Sequence, residues 1–263
     1  MRSYCIDYMN SHDQSLVDEV FDPSYVLHIQ GHELVRSSSH LETVKAFFDA
    51  APGVGLVVHE LVLGDDRLCM HFSEHAALPT GEGSERTLAC WRGIGIYEWN
   101  GSRLTATFVE EDYAAMSAQL TTRAPHRLRP PHIDPWMTTH PVAADAHAVE
   151  VVRDWLAGGD LTAAPTWEVD DSDVDAAYRF ALEPTDVRIN RVFSAGDVVP
   201  FHVTIDGSYR GGLGDAVAAH VGKPATLHAA GIARVADGAV DSVTAVSSRL
   251  QLVSDLTGVA LSL

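Results

Sequence analysis

Apolar residues along the chain recur with two periods, and the changes between them mark the elements. Tyr4, Cys5, Tyr8, Met9, Leu16, Val17 and Val20 keep a helical spacing interrupted at residues 10–13, which predicts two short helices joined by a cap from Ser11 or Asp13. Asp22-Pro23 ends that pattern, and residues 25–30 read as a strand stopped at Gly31. Ser39 and Glu42 fit a capping box ahead of the apolar stripe Leu41, Val44, Phe47 and Phe48, which Pro52-Gly53 closes. Strand-like runs follow at 55–63 and 68–78. The clearest hairpin spans 88–112 about Asn100-Gly101, a pair favoured where both central residues need positive φ. In its second strand Leu104, Ala106, Phe108, Glu110 and Asp112 share one face. An apolar surface thus ends in acids, and in an apolar cavity desolvation raises a carboxylate's pKa toward the range useful for proton transfer.

Residues 121–141 break the periodicity, with Pro125, Pro130, Pro131, Pro135 and Pro141 among the chain's 12 prolines. Such a stretch predicts a semi-rigid linker, with Trp136 pinning part of it to a domain surface. Beyond it, Val149, Val152, Trp155 and Leu156 predict an amphipathic helix over 146–156, and 166–169 a short strand. Asp170, Asp171, Asp173 and Asp175 suit the opening of a helix running through Tyr178, Phe180 and Leu182, since acids are favoured near a helix N-terminus. Further strands are predicted at 187–193, 198–205, 226–235 and 239–246.

The two halves echo each other. Residues 63–71 resemble 195–202, and 93–101 resemble 231–238, each with one residue's difference in length. The shared order of helix, strand, helix and several long strands predicts an α+β chain of two tandem cone-shaped domains, each a curved antiparallel sheet with helices enclosing a pocket. The expected division is 1–122, a linker over 123–141, and 142–263.

Composition narrows the partners. The chain has 263 residues, 46% of them hydrophobic and 21% charged, as in soluble globular proteins. Its formal charge of -18 repels a phosphate backbone, so neither nucleic acid nor an anionic membrane is expected as partner. Cys5, Cys69 and Cys90 show no paired spacing, which points away from disulfides and a Cys-based zinc site. No leader-like apolar region and no membrane-length run is present, so the expected location is cytoplasmic.

His71-Phe72-Ser73-Glu74-His75 matches H-x-x-E-H, but zinc binding by that motif requires a helix, and the surrounding alternation predicts a strand. On a strand His71, Ser73 and His75 share a face and Glu74 points away. The two histidines then line a cavity with His28 and Asp112, or serve as hydrogen-bonded structural groups; no metal is expected. Residues 207–214 are glycine-rich without the strand-to-helix order of a dinucleotide site and read as a loop or bulge. Trp91, Tyr97, Trp99 and Phe108 either line a pocket for a flat substrate or pack across strands.

The order of elements, with Gly64-Asp65, Gly95-Ile96 leading to Asn100-Gly101, and Asp112 ahead of Gln119-Leu120, resembles the SnoaL-like polyketide cyclases of the NTF2-like superfamily. Residues 194–197, 206–212, Gly231-Ile232, Asp237-Gly238 and 256–258 extend the resemblance through the second half. It implies a tandem duplication, a cofactor-independent cyclase or isomerase of secondary metabolism, and a hydrophobic polyketide-like substrate handled by acid/base catalysis. Asp112 stands where the family keeps its acid/base, which makes Asp112, assisted by Glu110, His28, His71 and His75, the expected catalytic set. Substrate binding is expected from Trp91, Tyr97 and Phe108. The corresponding acid of the second half falls near Ser247 or Ser248, which implies a degenerate copy forming an intrachain pseudo-dimer or a homodimer interface. Related steroid isomerases carry an Asp on the first strand, where this chain has His28. Opening of an epoxide by paired carboxylates, Asp112 with Glu110 or Glu74, of which the predicted facing supports the first pair, or noncatalytic binding or assembly, are the other readings.

Overall fold

Local signals at the N-terminus are realised as a π-helical segment, Tyr4–Asn10, and a turn whose Asp13 side chain accepts from the Ser15 N–H, leading into α1 (Val17–Val20). The computed structural model describes residues 1–80, 85–126, 134–138, 140–170 and 181–259. The first sheet is built from β1 (Phe21–Ile29), β2 (His32–Val35), β3 (Gly55–Leu63), β4 (Arg67–Pro79), β5 (Arg86–Trp99) and β6 (Leu104–Glu111). Their spatial order is β2-β1-β6-β5-β4-β3, antiparallel except for the β1–β6 pair. Helix α2 (Leu41–Ala50) lies in the same half, and α3 (Tyr113–Thr122) follows β6 directly.

The second half repeats this plan. After α4 (Ala146–Leu156), β7 (Thr166–Val169), β8 (Leu182–Val192), β9 (Val198–Tyr209), β10 (Pro224–Ala236) and β11 (Ala239–Ser247) form a sheet in the order β7-β11-β10-β9-β8, and α5 (Arg249–Thr257) closes it. Again one pair, β7–β11, is parallel. The correspondence is visible rung by rung. Phe72, Gly93 and Glu111 stand side by side across β4, β5 and β6, as Phe201, Gly231 and Ala245 do across β9, β10 and β11. Each glycine leaves room for the neighbouring phenylalanine, since an added Cβ would sit 2.3 Å from the Phe72 ring or 2.4 Å from the Phe201 ring.

Several local expectations are corrected. The loop at 100–103 is not a two-residue turn: only Gly101 has positive φ, and Asn100 Oδ1 accepts from the N–H groups of Ser102 and Arg103. Ser39 forms no capping box, because a π-helical turn, Arg36–His40, already leads into α2 and the Ser39 hydroxyl accepts from the Val35 N–H. Leu182 begins β8 rather than ending a helix; the remainder of that predicted helix, 171–180, falls outside the described residues. In the linker, Trp136 packs against the first half's core from a short turn, Pro135–Met137.

One face of each sheet packs on its own helices and the other on the opposite sheet. In the first half Tyr8, Phe21, Tyr25, Met70, Phe72 and Tyr97 fill the concave side. In the second, Val152 and Leu156 of α4 pack on Val199, Phe201, Val203 and Ile205. Between the sheets, Val62, Cys69, Ile94 and Ile96 meet Ala195, Ala230, Ile232 and Val246. Burial of each large aliphatic side chain there contributes roughly 1.5–3 kcal/mol. Ion pairs surround this apolar seam: Arg92–Glu168 at 2.6 Å, Arg191–Glu98 at 2.9 Å, Arg234–Glu60 at 2.5 Å and Arg249–Asp112 at 2.7 Å.

Gly231→Ala is expected to lower unfolding stability by about 1–3 kcal/mol through overpacking against Phe201. Gly53→Ala, where an added Cβ meets nothing within 4 Å, should stay within about 0.5 kcal/mol of the parent. Denaturant midpoints of the two variants check the pair.

Candidate active site

Strand β6 ends in Glu110 and Glu111, Asp112 follows as the cap of α3, and alternation sends the three acids to different places. Glu111 turns into the cone of the first half, whereas Glu110 and Asp112 turn toward the second half. The odd-numbered side chains of β6 therefore make the interior, with Thr107, Val109 and Glu111 on that side. Leu104, expected on the other face with Phe108, also joins the interior, because the strand register shifts at Glu98/Trp99.

Inside the cone Glu111 meets Glu74 of β4. The indole Nε1 of Trp91 donates to Glu111 Oε2 at 2.7 Å, and the Tyr113 hydroxyl donates to the same carboxyl. Glu74 stands directly across from Trp91 in the β4–β5 register. Glu74 is 3% exposed and Glu111 8%, so both are almost wholly removed from solvent. Burial raises the Glu111 pKa to about 7, partly offset by its two donors, with the nearby Glu110 raising it further. Burial, then the Glu111 charge, pushes Glu74 well above the usual carboxylate range. Glu74 has no hydrogen-bond donor among the described residues, so it holds the proton while Glu111 is the member prepared to ionise. An acid and a base thus lie close together in the buried interior of the first half. Phe47 packs edge-on to Trp91, with ring centroids 6.5 Å apart.

The second half lacks this pair. At the places matching Glu74, Trp91 and Glu111 in the strand register it carries Val203, Ala229 and Ala245. Ser247 ends β11 and Ser248 precedes α5, as Glu111 and Asp112 stand before α3.

The outer face of the first sheet holds most of the residues predicted from sequence. Asp112 is 1% exposed but is committed twice: its Oδ1 accepts from the Ala115 N–H at the start of α3, and Arg249 Nη2 lies 2.7 Å from both carboxylate oxygens. The expectation that Asp112 faces a cone-shaped cavity is corrected, since its position has the parity of the inter-sheet face. Glu110 lies on that face too, fully buried. Gln30 donates to its Oε2 at 2.9 Å, and His202 Nε2 lies 3.2 Å from its Oε1. Burial raises Glu110 to about 8 and lowers His202 to about 3, so the contact is not an ion pair near neutrality.

His28 is half-buried on the same outer side, stacked on Phe108 at 4.1 Å between ring centroids. Arg191 covers Phe108 at 4.0 Å, so Phe108 is a packing residue of the junction rather than a lining of the cone. His71 and His75 also lie outside. Ser73, between them in sequence, is 2.8 Å from both His59 and His75, and the His59 and His71 rings stack at 5.0 Å. As expected for a strand, Glu74 points the other way. The cone interior joins Trp91 and Tyr97 to the two glutamates' half, but His28, His71, His75, Glu110 and Asp112 do not enter it. Glu111 and Tyr113 were missed as site residues, and Glu74 was considered only as a partner of Asp112, from which it points away. Their signal was Glu111 opposite Gly93 and Glu74 opposite Trp91, a reading that needs the strand register. Among the described residues no group of three or more His, Cys, Asp or Glu is placed to hold a metal ion, and no helix is long and apolar enough to cross a membrane.

Comparison with known proteins finds a likeness in the first half of the chain. The sequence pattern of the SnoaL-like domain matches residues 2–107. Similar solved structures include a proposed polyketide cyclase from Acidithiobacillus ferrooxidans, 23% identical, covering 47% of this chain and 92% of that one with a TM-score of 0.42. A proposed SnoaL-like polyketide cyclase from Shewanella denitrificans is 16% identical over 44% and 91% of the two chains, with a TM-score of 0.41. AclR, a proposed hydroxylase from Streptomyces galilaeus, is 14% identical over 45% and 90%, with a TM-score of 0.40. The curated proteins yielded no match.

The raised carboxyl pKa values make stability depend on pH with a definite sign. The native chain holds protons that the unfolded chain releases above the ordinary value of 4.5, so stability falls as pH climbs from there to about 7 for Glu111 and about 8 for Glu110, and levels off beyond. Glu110→Gln is expected to remove much of that slope. Urea midpoints at pH 5 and pH 8 measure it, and an unchanged difference between them would contradict the assignment.

Proposed function

We propose, from the match of residues 2–107 to the SnoaL-like domain, that the chain is a cofactor-independent enzyme of the cyclase or isomerase type, acting on a hydrophobic polyketide-like compound inside the first cone. The observation that carries this reading is the buried Glu74–Glu111 pair, one carboxyl without donors and one held by Trp91 and Tyr113. In this mechanism the Glu111 carboxylate removes a proton from carbon next to a substrate carbonyl. The protonated Glu74 donates to the developing enolate oxygen, which spreads the charge in a dry site. Carbon–carbon closure or a proton shift consumes the enolate, and the proton on Glu111 returns to product. Trp91 fixes the orientation of the base, and Tyr97, Tyr25 and Phe72 supply apolar wall.

The same pair favours a second reading, epoxide opening, in which Glu74 protonates the epoxide oxygen and Glu111 activates water or a substrate hydroxyl. Noncatalytic small-molecule binding is the outcome that would replace both. In either enzymatic reading Asp112 and Glu110 act on Glu111 from the neighbouring strand positions, and His28, His71 and His75 lie on the far side of the sheet.

Glu111→Gln should slow deuterium uptake at the activated carbon of an aromatic β-ketoester by about 10²–10⁴-fold, followed by NMR in heavy water. Glu74→Gln, which keeps a donor, should cost less. Uptake at the parent rate in Glu111→Gln would remove Glu111 as base. Tight binding with neither exchange nor conversion in the parent protein would favour the binding role.

A further inference from the structure

The residues on either side of Glu111 are held by the other half of the chain. Glu110 meets His202 of β9, itself fixed by Asn190 Nδ2 at 3.0 Å from its Nδ1. Asp112 meets Arg249, the first residue of α5, which is 5% exposed. Arg249 Nε also lies 3.2 Å from Asp170, whose carboxylate accepts from the Ser247 backbone N–H at 2.6 Å and the Ser247 hydroxyl at 2.8 Å. The pattern recurs on β5. Trp91 turns into the cone while the next residue, Arg92, reaches out to Glu168 of β7 at 2.6 Å. Arg92 and Asp112 are tied directly, the Asp112 N–H donating to the Arg92 carbonyl at 2.8 Å.

Asp112 is also the cap of α3, and Tyr113 is the first residue of that helix. A shift of the Asp112 carboxylate therefore moves both groups that frame the base, the Glu111 backbone on one side and the Tyr113 hydroxyl on the other. We propose that Arg249 and His202 are positioning residues for Glu111, and that the second half serves as a built-in clamp on the first half's active site. This rests on the reading of Glu111 as the base. The second half is suited to such a role because its own cone carries Val203, Ala229 and Ala245 where the first has Glu74, Trp91 and Glu111. Holding a carboxylate in the productive orientation is worth a large rate factor, since misplacement by about 1 Å costs on the order of 100-fold.

The Trp91 indole N–H, bonded to Glu111, reports the position and protonation of that carboxyl without any substrate. Its resonance, assigned with Trp91→Phe, is followed through a pH titration in the full chain, alongside kcat and KM on a converted substrate. Arg249→Gln should displace the resonance and move its titration midpoint by on the order of half a unit. It should also lower kcat about 10-fold to 100-fold with KM little changed, and Arg249→Lys should recover part of both effects. Asp112→Asn, which retains a side-chain oxygen for the Ala115 N–H, gives the same readout if Arg249→Gln fails to fold. A lower unfolding midpoint with the Trp91 titration and kcat of the folded protein unchanged would overturn the clamp. A displaced Trp91 titration with Glu111→Gln fully active would instead sustain the clamp and overturn the base.

Discussion

Strand β6 has no wet face. Its inward side lies against the helices and aromatic residues of the first cone, and its outward side against a second sheet. Every polar group on it must then be satisfied within the protein, because an uncompensated buried charge costs far more than folding can spare. The three acids meet that demand in different ways. Asp112 takes a guanidinium and a helix N-terminus, Glu110, its own pKa raised, takes Gln30 and a neutral imidazole, and Glu111 takes an indole and a phenol. Only the last turns inward, toward another buried carboxyl.

Duplication explains how such a strand can exist. A single cone of this kind would present the outer faces of β4, β5 and β6 to water, with Ile94, Ile96 and Phe108 exposed. The second half covers them with Ala230, Ile232 and Val246, and supplies the cations that answer Asp112, Glu98 and Glu60. In the second half, meanwhile, the positions of Glu74, Trp91 and Glu111, on two adjacent rungs, are taken by Val203, Ala229 and Ala245, which pack as ordinary core. The two copies have divided the work: one keeps a polar interior, and the other contributes a dry surface and counter-charges. Buried ion pairs of this type add little net stability but penalise misregistered packing, since any slip strands a charge.

Much of the architecture was legible along the chain. Helix α4 and strands β3 and β7 run as their periodicity predicts, and the paired glycines Gly93 and Gly231 marked the repeat. Misreadings were local and had local causes: a four-residue loop where Asn100-Gly101 promised two, and a π-turn in place of a capping box at Ser39. The site was less legible. Alternation separated Glu74 from His71 and His75 correctly, but on β6 the apolar run through Phe108 made the outer face look like the interior.

That limit is physical. A period of two states which side chains share a face, and turn and cap residues state where elements begin and end; on those grounds the sequence by itself determined most of the strands, though not β2 or the start of β8, the repeat, and the opposite parity of Glu111 to Glu110 and Asp112. Which face becomes the interior is decided by what packs on it. The partner that claims Asp112 is Arg249, 137 residues further along the chain, and nothing near Asp112 in sequence encodes it. Only the tertiary structure, by burying both faces of one sheet, moved the candidate base from Asp112 to its neighbour Glu111.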